Sequence, residues 1–316
     1  MRTLTVDRTT SLGRLALRGI DMAEVVTRPL HHRGFMKLAR WCGQLAPRGQ
    51  RCTVDLAPDA RFIVETVDPY WNRLVSERFE YEEGMGFALR HLSDIDYTFI
   101  DAGANFGYWS VLVSSRRYGS KPTVAIEPVT ETFRALEENR RINGDRFATL
   151  QRAVAEESGM PVVIQYPRTV VGARAGASCV GEGGSAQDLE TETVECVSLD
   201  AVLEEFVKPN RPVIVKLDVE GLEVPALRGS RRLSERDWLV IYEDHGNDPT
   251  CATSEFVLGL DVSVFFVTER ADVHAIRSLD DVQRFKPRTN CGYNFFAASR
   301  GSVFERRLAA ATSLGA

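Results

Sequence analysis

The chain has 316 residues, of which 44% are hydrophobic and 26% are charged, and its formal net charge is −5. This composition is ordinary for a globular protein and excludes wholesale disorder, and the length suffices for one large α/β domain with an accessory segment. The net negative charge argues against a general affinity for nucleic acid or anionic membranes. The N-terminal segment carries Arg and Asp throughout, so it predicts neither a signal peptide nor a membrane span.

The six cysteines lie far apart, without C-x-x-C pairs or the spacing of a metal site. They indicate free thiols in a reducing compartment, so we expect a cytoplasmic protein. The sequence does not indicate an oligomeric state.

Residues 1–80 predict an accessory cover that precedes the main domain. The first fifty residues are basic and include the helical-looking stretch FMKLARWCGQLA. TVDLAP and RFIVETV then predict two strands joined by a turn at Pro58–Asp59, and DPYWNRLVSERFEYEEGMGFALRHL predicts a loop that leads into a helix. We expect the main domain to occupy residues 81–300 and a tail helix to occupy residues 301–316.

Strands and helices alternate from Tyr97 onward. YTFID predicts a strand, and a helix over roughly residues 107–117 follows. TVAIEP predicts the second strand. Thr130 is the expected N-cap of a helix that runs through FRALEENRRI and stops at Asn143–Gly144. FATLQRAVA predicts a third strand, and this alternation is typical of a parallel sheet with helical crossovers.

The second half of the chain first interrupts and then resumes this alternation. VVIQY and TETVECVSL predict a hairpin whose connection, residues 167–190, is rich in Gly, Ala and Ser, as functional or disordered loops are. Further elements follow in the order helix LDAVLEEF, strand PVIVKLD, helix LEVPALRGSRRL, and strands WLVIYED, DVSVFFVTE and GYNFFAAS. The sequence therefore predicts a Rossmann-like, doubly wound α/β sheet of about seven mostly parallel strands.

The segment Asp101–Gly107 (DAGANFG) ends the first strand, where ligands bind in open α/β sheets. Its spacing is one residue short of G-x-G-x-x-G, which disfavours a nicotinamide dinucleotide. Asp101 can accept a hydrogen bond from an ammonium group, and Glu127, which ends the second strand, can accept both hydroxyls of a ribose. This set suits a positively charged nucleoside without phosphates, as S-adenosylmethionine is. A plain strand-to-helix turn is the alternative.

Ala153 closes the third strand, where we expect it to lie beside the adenine, although packing alone also explains an alanine there.

Two further strands end in charged residues. Lys216, Asp218 and Glu220 follow strand VIVKLD and share one side if the chain stays extended. Glu243 and His245 end the next strand. Such charges predict an active-site rim or a network of salt bridges. A histidine there can take a proton from an attacking hydroxyl, and an exposed loop histidine is the alternative.

A divalent metal held by Asp218, Glu220 or Glu243 is conceivable because Mg²⁺ prefers oxygen ligands. The spacing of these residues does not require one.

Several segments together resemble the FkbM-type methyltransferases. They are FIDAGANFGYWS (99–110), AIEP (125–128), NRRING (139–144), VSLDAVL (197–203), VKLDVEGLEVPALRG (215–229), YED-H and GYNFFAA. The resemblance covers roughly residues 60–300. Residues 1–50 match nothing specific in the family, and the insert at 167–190 is longer and more Gly-rich than the family needs. It implies a class I methyltransferase fold, S-adenosylmethionine as cofactor, and O-methylation of a sugar, glycan, glycolipid or polyketide-type hydroxyl.

The resemblance also implies roles for individual residues. The expected cofactor-binding residues are Asp101, Gly103, Ala104, Asn105, Gly107, Tyr108, Glu127, Pro128, Ala153 and Asp218. The residues expected to face the acceptor and the reaction are Lys216, Asp218, Glu220, Glu243 and His245.

Several alternatives stay open at this point. Tyr70 and Trp71 either stack on a sugar ring or anchor the cover on the core. A carbohydrate hydroxyl leads as the acceptor, with a natural-product hydroxyl next. An NAD-dependent oxidoreductase and a non-catalytic cofactor-binding module are the alternatives from other classes.

Overall fold

An eight-stranded mixed sheet forms the centre of the computed structural model, which describes residues 4–6, 11–27, 34–46, 50–68, 70–77, 79–167, 178–179, 189–289 and 291–312. Its strands are β4 (Thr98–Ala102), β5 (Thr123–Ile126), β6 (Ala148–Leu150), β11 (Val213–Leu217), β12 (Trp238–His245), β13 (Val262–Val267), β14 (Val273–Ile276) and β15 (Gly292–Ser299). Every residue of β4, β5 and β11 is buried. Such continuous apolar runs are typical of strands covered on both faces.

The strand order is β14-β13-β15-β12-β11-β4-β5-β6. The parallel part of the sheet extends to one side through β4, β5 and β6 and to the other through β11 and β12. Strand β15 is inserted antiparallel between β12 and β13. The order therefore reverses between β4 and β11, where doubly wound sheets bind their ligands.

Ten helices within the described residues flank or extend this sheet. They are α1 (Ser11–Thr27), α2 (Phe35–Gly43), α3 (Glu83–His91), α4 (Tyr108–Val113), α5 (Thr130–Ile142), α6 (Leu199–Phe206), α7 (Glu223–Arg228), α8 (Ala252–Leu258), α9 (Leu279–Arg284) and α10 (Val303–Thr312). Among the described residues, no helix is both long and apolar enough to cross a bilayer.

Two smaller sheets complete the fold. One joins β1 (Leu4–Val6), β2 (Arg51–Ala57) and β3 (Ala60–Glu65), and the other joins β7 (Ala153–Ala155), β8 (Pro161–Pro167), β9 (Ser178–Cys179) and β10 (Leu189–Ser198). Strands β8 and β10 pair antiparallel, as expected for the predicted hairpin. Most of its connection, residues 167–190, lies outside the described residues.

Two asparagines of α5 attach the β2–β3 hairpin to the main domain. Asn139 Oδ1 accepts from the N–H of Ile63 (2.8 Å), and Asn143 Oδ1 accepts from the N–H of Arg61 (2.9 Å). Asn143 Nδ2 also donates to the carbonyl of Arg61 (2.7 Å). The amides thus satisfy backbone groups on the open edge of β3, which would otherwise lack partners.

The structure corrects several local predictions. The stretch FATLQRAVA is two strands in different sheets, because β6 pairs with β5 whereas β7 pairs with β10. The helix expected over residues 107–117 ends at Val113, and a short 3-10 turn (Arg116–Tyr118) follows. Val129, not Thr130, is the N-cap of α5, because the Thr130 hydroxyl donates to Glu192 on β10. The main sheet has eight strands because β14 adds to the expected seven.

Candidate functional site

A cavity of about 1350 Å³ opens at the carboxyl ends of the central strands. Typical small-molecule sites enclose about 300–1,000 Å³, so this cavity has room for a cofactor together with an acceptor. Nearly all the predicted site residues line it, namely Gly103, Ala104, Asn105, Tyr108, Glu127, Pro128, Ala153, Lys216, Asp218, Glu220, Glu243 and His245. Asp101 and Gly107 do not.

Asp101 is buried and does not line the cavity, and its expected contact with a bound ammonium group stays a prediction. Its Oδ2 accepts from the hydroxyl of Ser110 (2.6 Å), and its Oδ1 lies 3.7 Å from Lys216 Nζ. Burial raises the pKa of Asp101, although the charge of Lys216 opposes that shift. The carboxylate therefore helps to hold Lys216 in place from behind the cavity wall.

The glycines of the turn serve packing as well as ligand approach. Gly103 has φ +75°, and a β-carbon there would overlap the carbonyl oxygen of Asp218, so only glycine lets β4 and β11 end this close together. Gly107 has φ +84°, and its α-carbon faces Leu136 of α5 instead of the cavity.

Glu127 lines the cavity with a nearly fully buried carboxylate. Its Oε2 accepts from the N–H of Asn105 and its Oε1 accepts from the N–H of Val129, both at 3.0 Å. Burial raises the pKa of Glu127 to about 7, although both hydrogen bonds oppose that shift. Each oxygen keeps a further lone pair for a ligand hydroxyl.

Lys216 is the buried cation at the centre of the site. Its Nζ donates to Asp218 Oδ2 (3.1 Å) and to the carbonyl of Gly103 (3.3 Å). Burial alone lowers the pKa of Lys216, but the charges of Asp218, Asp101 and Glu82 outweigh it and raise the pKa. Lys216 therefore stays charged at neutral pH and fixes the end of β11 against the Asp101–Gly107 turn.

Glu243 lies over a glycine on the neighbouring strand. Gly292 of β15 pairs with His245, two residues after Glu243 on β12. A β-carbon at Gly292 would overlap the Glu243 carboxylate. Burial, followed by the charges of Asp218 and Glu220, raises the pKa of Glu243 to about 9. Glu220, which has φ +51°, lies in the turn after β11 and also lines the cavity.

His245 is the partly exposed last residue of β12. Its Nδ1 lies 2.7 Å from Asn247 Oδ1 and 3.3 Å from the backbone nitrogen of Asn247, and the shorter of the two contacts fits Nδ1–H donating to the amide oxygen. That tautomer leaves the Nε2 lone pair available to accept a proton. The side chain of Asn247 thus orients the ring.

Sequence reasoning missed Glu82 and its two partners. Its carboxylate accepts from Trp109 Nε1 (2.6 Å) and from Asn294 Nδ2 (2.9 Å), so it joins the start of α3 to α4 and β15. All three residues line the cavity. Glu82 lies in a segment that predicts only a loop, and its partners are 27 and 212 residues away.

Both aromatic residues ahead of the core line the cavity, and Trp71 also anchors the cover on the core. Trp71 is buried, stacks on Tyr108 (ring centroids 5.6 Å apart), and donates from Nε1 to Asn105 Oδ1 (3.0 Å), so it anchors the cover. Tyr70 lines the cavity, and its hydroxyl lies 2.6 Å from that of Tyr81. Tyr70 therefore remains a candidate wall for a bound ring.

Within the part of the chain that the structure describes, no group of three or more His, Cys, Asp or Glu side chains could hold a metal ion. Cys42, Cys52, Cys196 and Cys251 are buried thiols outside any disulfide.

The profile of the methyltransferase FkbM domain matches residues 101–295, which contain every site residue predicted from the sequence. The chain belongs to the FkbM methyltransferase family. Its eight-stranded α/β sheet is a class I methyltransferase fold, and the protein is a methyltransferase. Family membership leaves no support for the alternative of an NAD-dependent oxidoreductase.

A curated relative and two solved structures are similar to this FkbM-family protein. Hexuronic acid methyltransferase AglP of Haloferax volcanii is 29% identical over 195 residues, which are 61% of this chain and 74% of the relative. A methyltransferase FkbM from Methylobacillus flagellatus is 13% identical, with a TM-score of 0.37 over 89% of this chain and 58% of that one. A precorrin-6y C5,15-methyltransferase from Geobacter metallireducens is also 13% identical, with a TM-score of 0.38 over 71% of this chain and 91% of that one.

Proposed function

We propose that this protein is an S-adenosylmethionine-dependent O-methyltransferase whose acceptor is a hydroxyl of a sugar or glycan. The observation that carries the proposal is one cavity with two chemically different ends. Glu127 lines it from β5, on one side of the strand-order reversal, and His245 lines it from β12, on the other. A nucleoside can bind at the first end while a hydroxyl is deprotonated at the second.

The residues of the first end fit this cofactor. Each carboxylate oxygen of Glu127 can accept a further hydrogen bond from a ribose hydroxyl. Asn105, Pro128 and Ala153 also line this end of the cavity. The carboxylates of Glu82 and Asp218 suit the positive charges of a sulfonium and an ammonium group. We therefore assign cofactor binding to these residues, and we assign to Asp101 the role of holding Lys216 in place.

S-adenosylmethionine, when bound, supplies an activated methyl group, so the protein has to position the acceptor and remove its proton. We assign proton removal to His245 Nε2, which the Asn247 contact leaves free to accept. Glu243 is protonated at neutral pH because its pKa is about 9. It therefore serves as a hydrogen-bond donor that orients the acceptor.

A sugar is favoured as the acceptor by the relative AglP, whose name gives a hexuronic acid as its substrate. The half-buried phenol pair of Tyr70 and Tyr81 offers a wall on which a sugar ring can stack. The same wall also suits the flat ring of a polyketide-type natural product, which is the second candidate acceptor.

Methyl transfer from labelled S-adenosylmethionine tests the proposal. The purified chain is incubated with neutral sugars, hexuronic acids, glycans and polyketide-type alcohols. We expect label in a hydroxyl-bearing sugar, and loss of that label in His245→Ala. Labelling of the polyketide alcohols alone would select the second candidate, whereas tight cofactor binding with no product in any class would indicate a non-catalytic module.

A further inference from the structure

Helix α1 has an apolar row on the side that faces solvent. Leu12, Leu15, Met22 and Val26 are each more than half exposed, and their spacings of three, seven and four residues place them on one face of the helix. The opposite face of α1 is buried against the rest of the N-terminal cover. The helix is therefore apolar on two sides, and among the described residues only one of these sides is packed against the rest of the protein.

Helix α2 and the turn after it continue this row. Leu38, Trp41 and Leu45 follow each other at helical spacing, and Trp41 is 64% exposed. The two rows are adjacent because Gly19, within the row of α1, packs on Cys42, the residue next to Trp41. We call the seven side chains of the two rows the docking face. They are seven of the ten exposed large hydrophobic side chains in the described part of the chain.

The charges around the docking face are positive. Arg14, Arg18, Lys37 and Arg40 are exposed on the same two helices, where the one partly exposed acid is Asp21. The first fifty residues contain nine Lys or Arg and three Asp or Glu, although the whole chain has a net charge of −5. The overall charge thus hides a basic, apolar N-terminal region.

We propose that the docking face binds an anionic lipid surface. Helices that lie in a membrane interface combine a row of Leu, Met or Trp with Lys and Arg on the flanks, and tryptophan is enriched at the level of the lipid headgroups. Each basic residue near an anionic bilayer adds about 1 kcal/mol of attraction, or about fivefold in affinity. A second copy of the chain is a poorer occupant, because a twofold contact would bring the same cations together.

The inner face of α1 connects this surface to the cavity. Glu24, on that face, is buried, forms an ion pair with Arg73 (3.5 Å), and lines the cavity together with it. One helix diameter, about 10 Å, therefore separates the docked lipid surface from the cavity wall. If the proposed function holds, methyl transfer takes place at the membrane surface.

Vesicle co-sedimentation of the purified full chain tests the docking face. Vesicles of phosphatidylcholine alone are compared with vesicles that also contain phosphatidylglycerol, at low and high salt. The double variant Met22→Glu/Trp41→Glu removes apolar contacts, and Arg14→Glu/Arg18→Glu reverses two charges. Met160→Glu is the matched control, because Met160 is equally exposed (58%) but lies outside α1 and α2.

We expect the chain to sediment with the anionic vesicles, more strongly at low salt, and each double variant to bind more than tenfold more weakly than the Met160→Glu control. Absence of sedimentation with any vesicle, or unchanged binding of both double variants, would overturn the proposal. A dimer in light scattering that Met22→Glu/Trp41→Glu dissociates would assign the face to self-association instead. Because the assay needs neither cofactor nor acceptor, its result is independent of whether the protein transfers methyl groups.

Discussion

The protonation of Glu127 predicts a pH dependence of cofactor affinity. An ionised carboxylate accepts hydrogen bonds from ribose hydroxyls more strongly than the protonated acid does, and burial raises the pKa of Glu127 to about 7. With that pKa, the ionised fraction of the free protein falls about tenfold between pH 8 and pH 6. We therefore expect the Kd for S-adenosylhomocysteine, measured by calorimetry, to rise about tenfold over this range.

Glu127→Gln is the matched variant, because it keeps the size of the side chain and removes its titration. We expect weaker binding at pH 8 and a Kd that stays constant down to pH 6. Lys216 and Asp218 also act on Glu127, with opposite signs, and the variant leaves both in place. A constant Kd in the unmodified protein from pH 8 to pH 6 would refute the assignment of Glu127 to the ribose.

The same shift predicts how the stability of the protein changes with pH. A carboxyl group whose folded pKa is raised binds more protons in the folded than in the unfolded state, so stability falls as pH rises from about 4.5 toward 7. For Glu127 the loss is about 3 kcal/mol. Urea unfolding should show this loss of stability in the unmodified protein but not in Glu127→Gln. If the free energy of unfolding changes equally with pH in the two proteins, the raised pKa of Glu127 is contradicted.

Three further variants test the site. His245→Ala should lower turnover at least about a hundredfold while leaving calorimetric binding of S-adenosylhomocysteine unchanged, and unchanged turnover would remove His245 from the mechanism. Gly292→Ala should displace the Glu243 carboxylate and lower kcat about tenfold or more, with no change in cofactor binding, and normal kcat would show that the position of Glu243 is unimportant. Gly103→Ala should lower the free energy of unfolding, measured in urea, by about 3 kcal/mol or more. The control is Gly144→Ala, which has a similar φ but no neighbour within 4 Å and should lose only about 1 kcal/mol. Equal losses of stability would refute the role of the Asp218 carbonyl.

The residues that end strands could be predicted from the sequence because each strand carries its own signal. A short apolar run followed by an acid marks the ends of β4, β5, β11 and β12. In a parallel sheet these ends share one edge. The sequence alone therefore predicts that Glu127, Lys216 and His245 share one cavity, as the structure shows.

Contacts between distant segments could not be predicted in this way. Glu82 owes its place to partners on α4 and β15, and no local pattern marks it. The packing of Gly292 under Glu243 depends on β15 being inserted beside β12. In the sequence, Asn143 indicated the end of a helix and Asn139 was only part of the NRRING segment. Neither residue revealed its contact, because the strand whose backbone they bind precedes them by more than seventy residues.

Calorimetry of the purified chain against S-adenosylmethionine, S-adenosylhomocysteine and NAD tests the central claim most directly. The carboxylates of Glu127, Glu82 and Asp218, which line the cavity, predict that the first two compounds bind and that NAD, with its phosphates, does not. Binding of NAD, or of none of the three, would contradict the assignment of the cavity to a phosphate-free, positively charged nucleoside and the mechanism that depends on it.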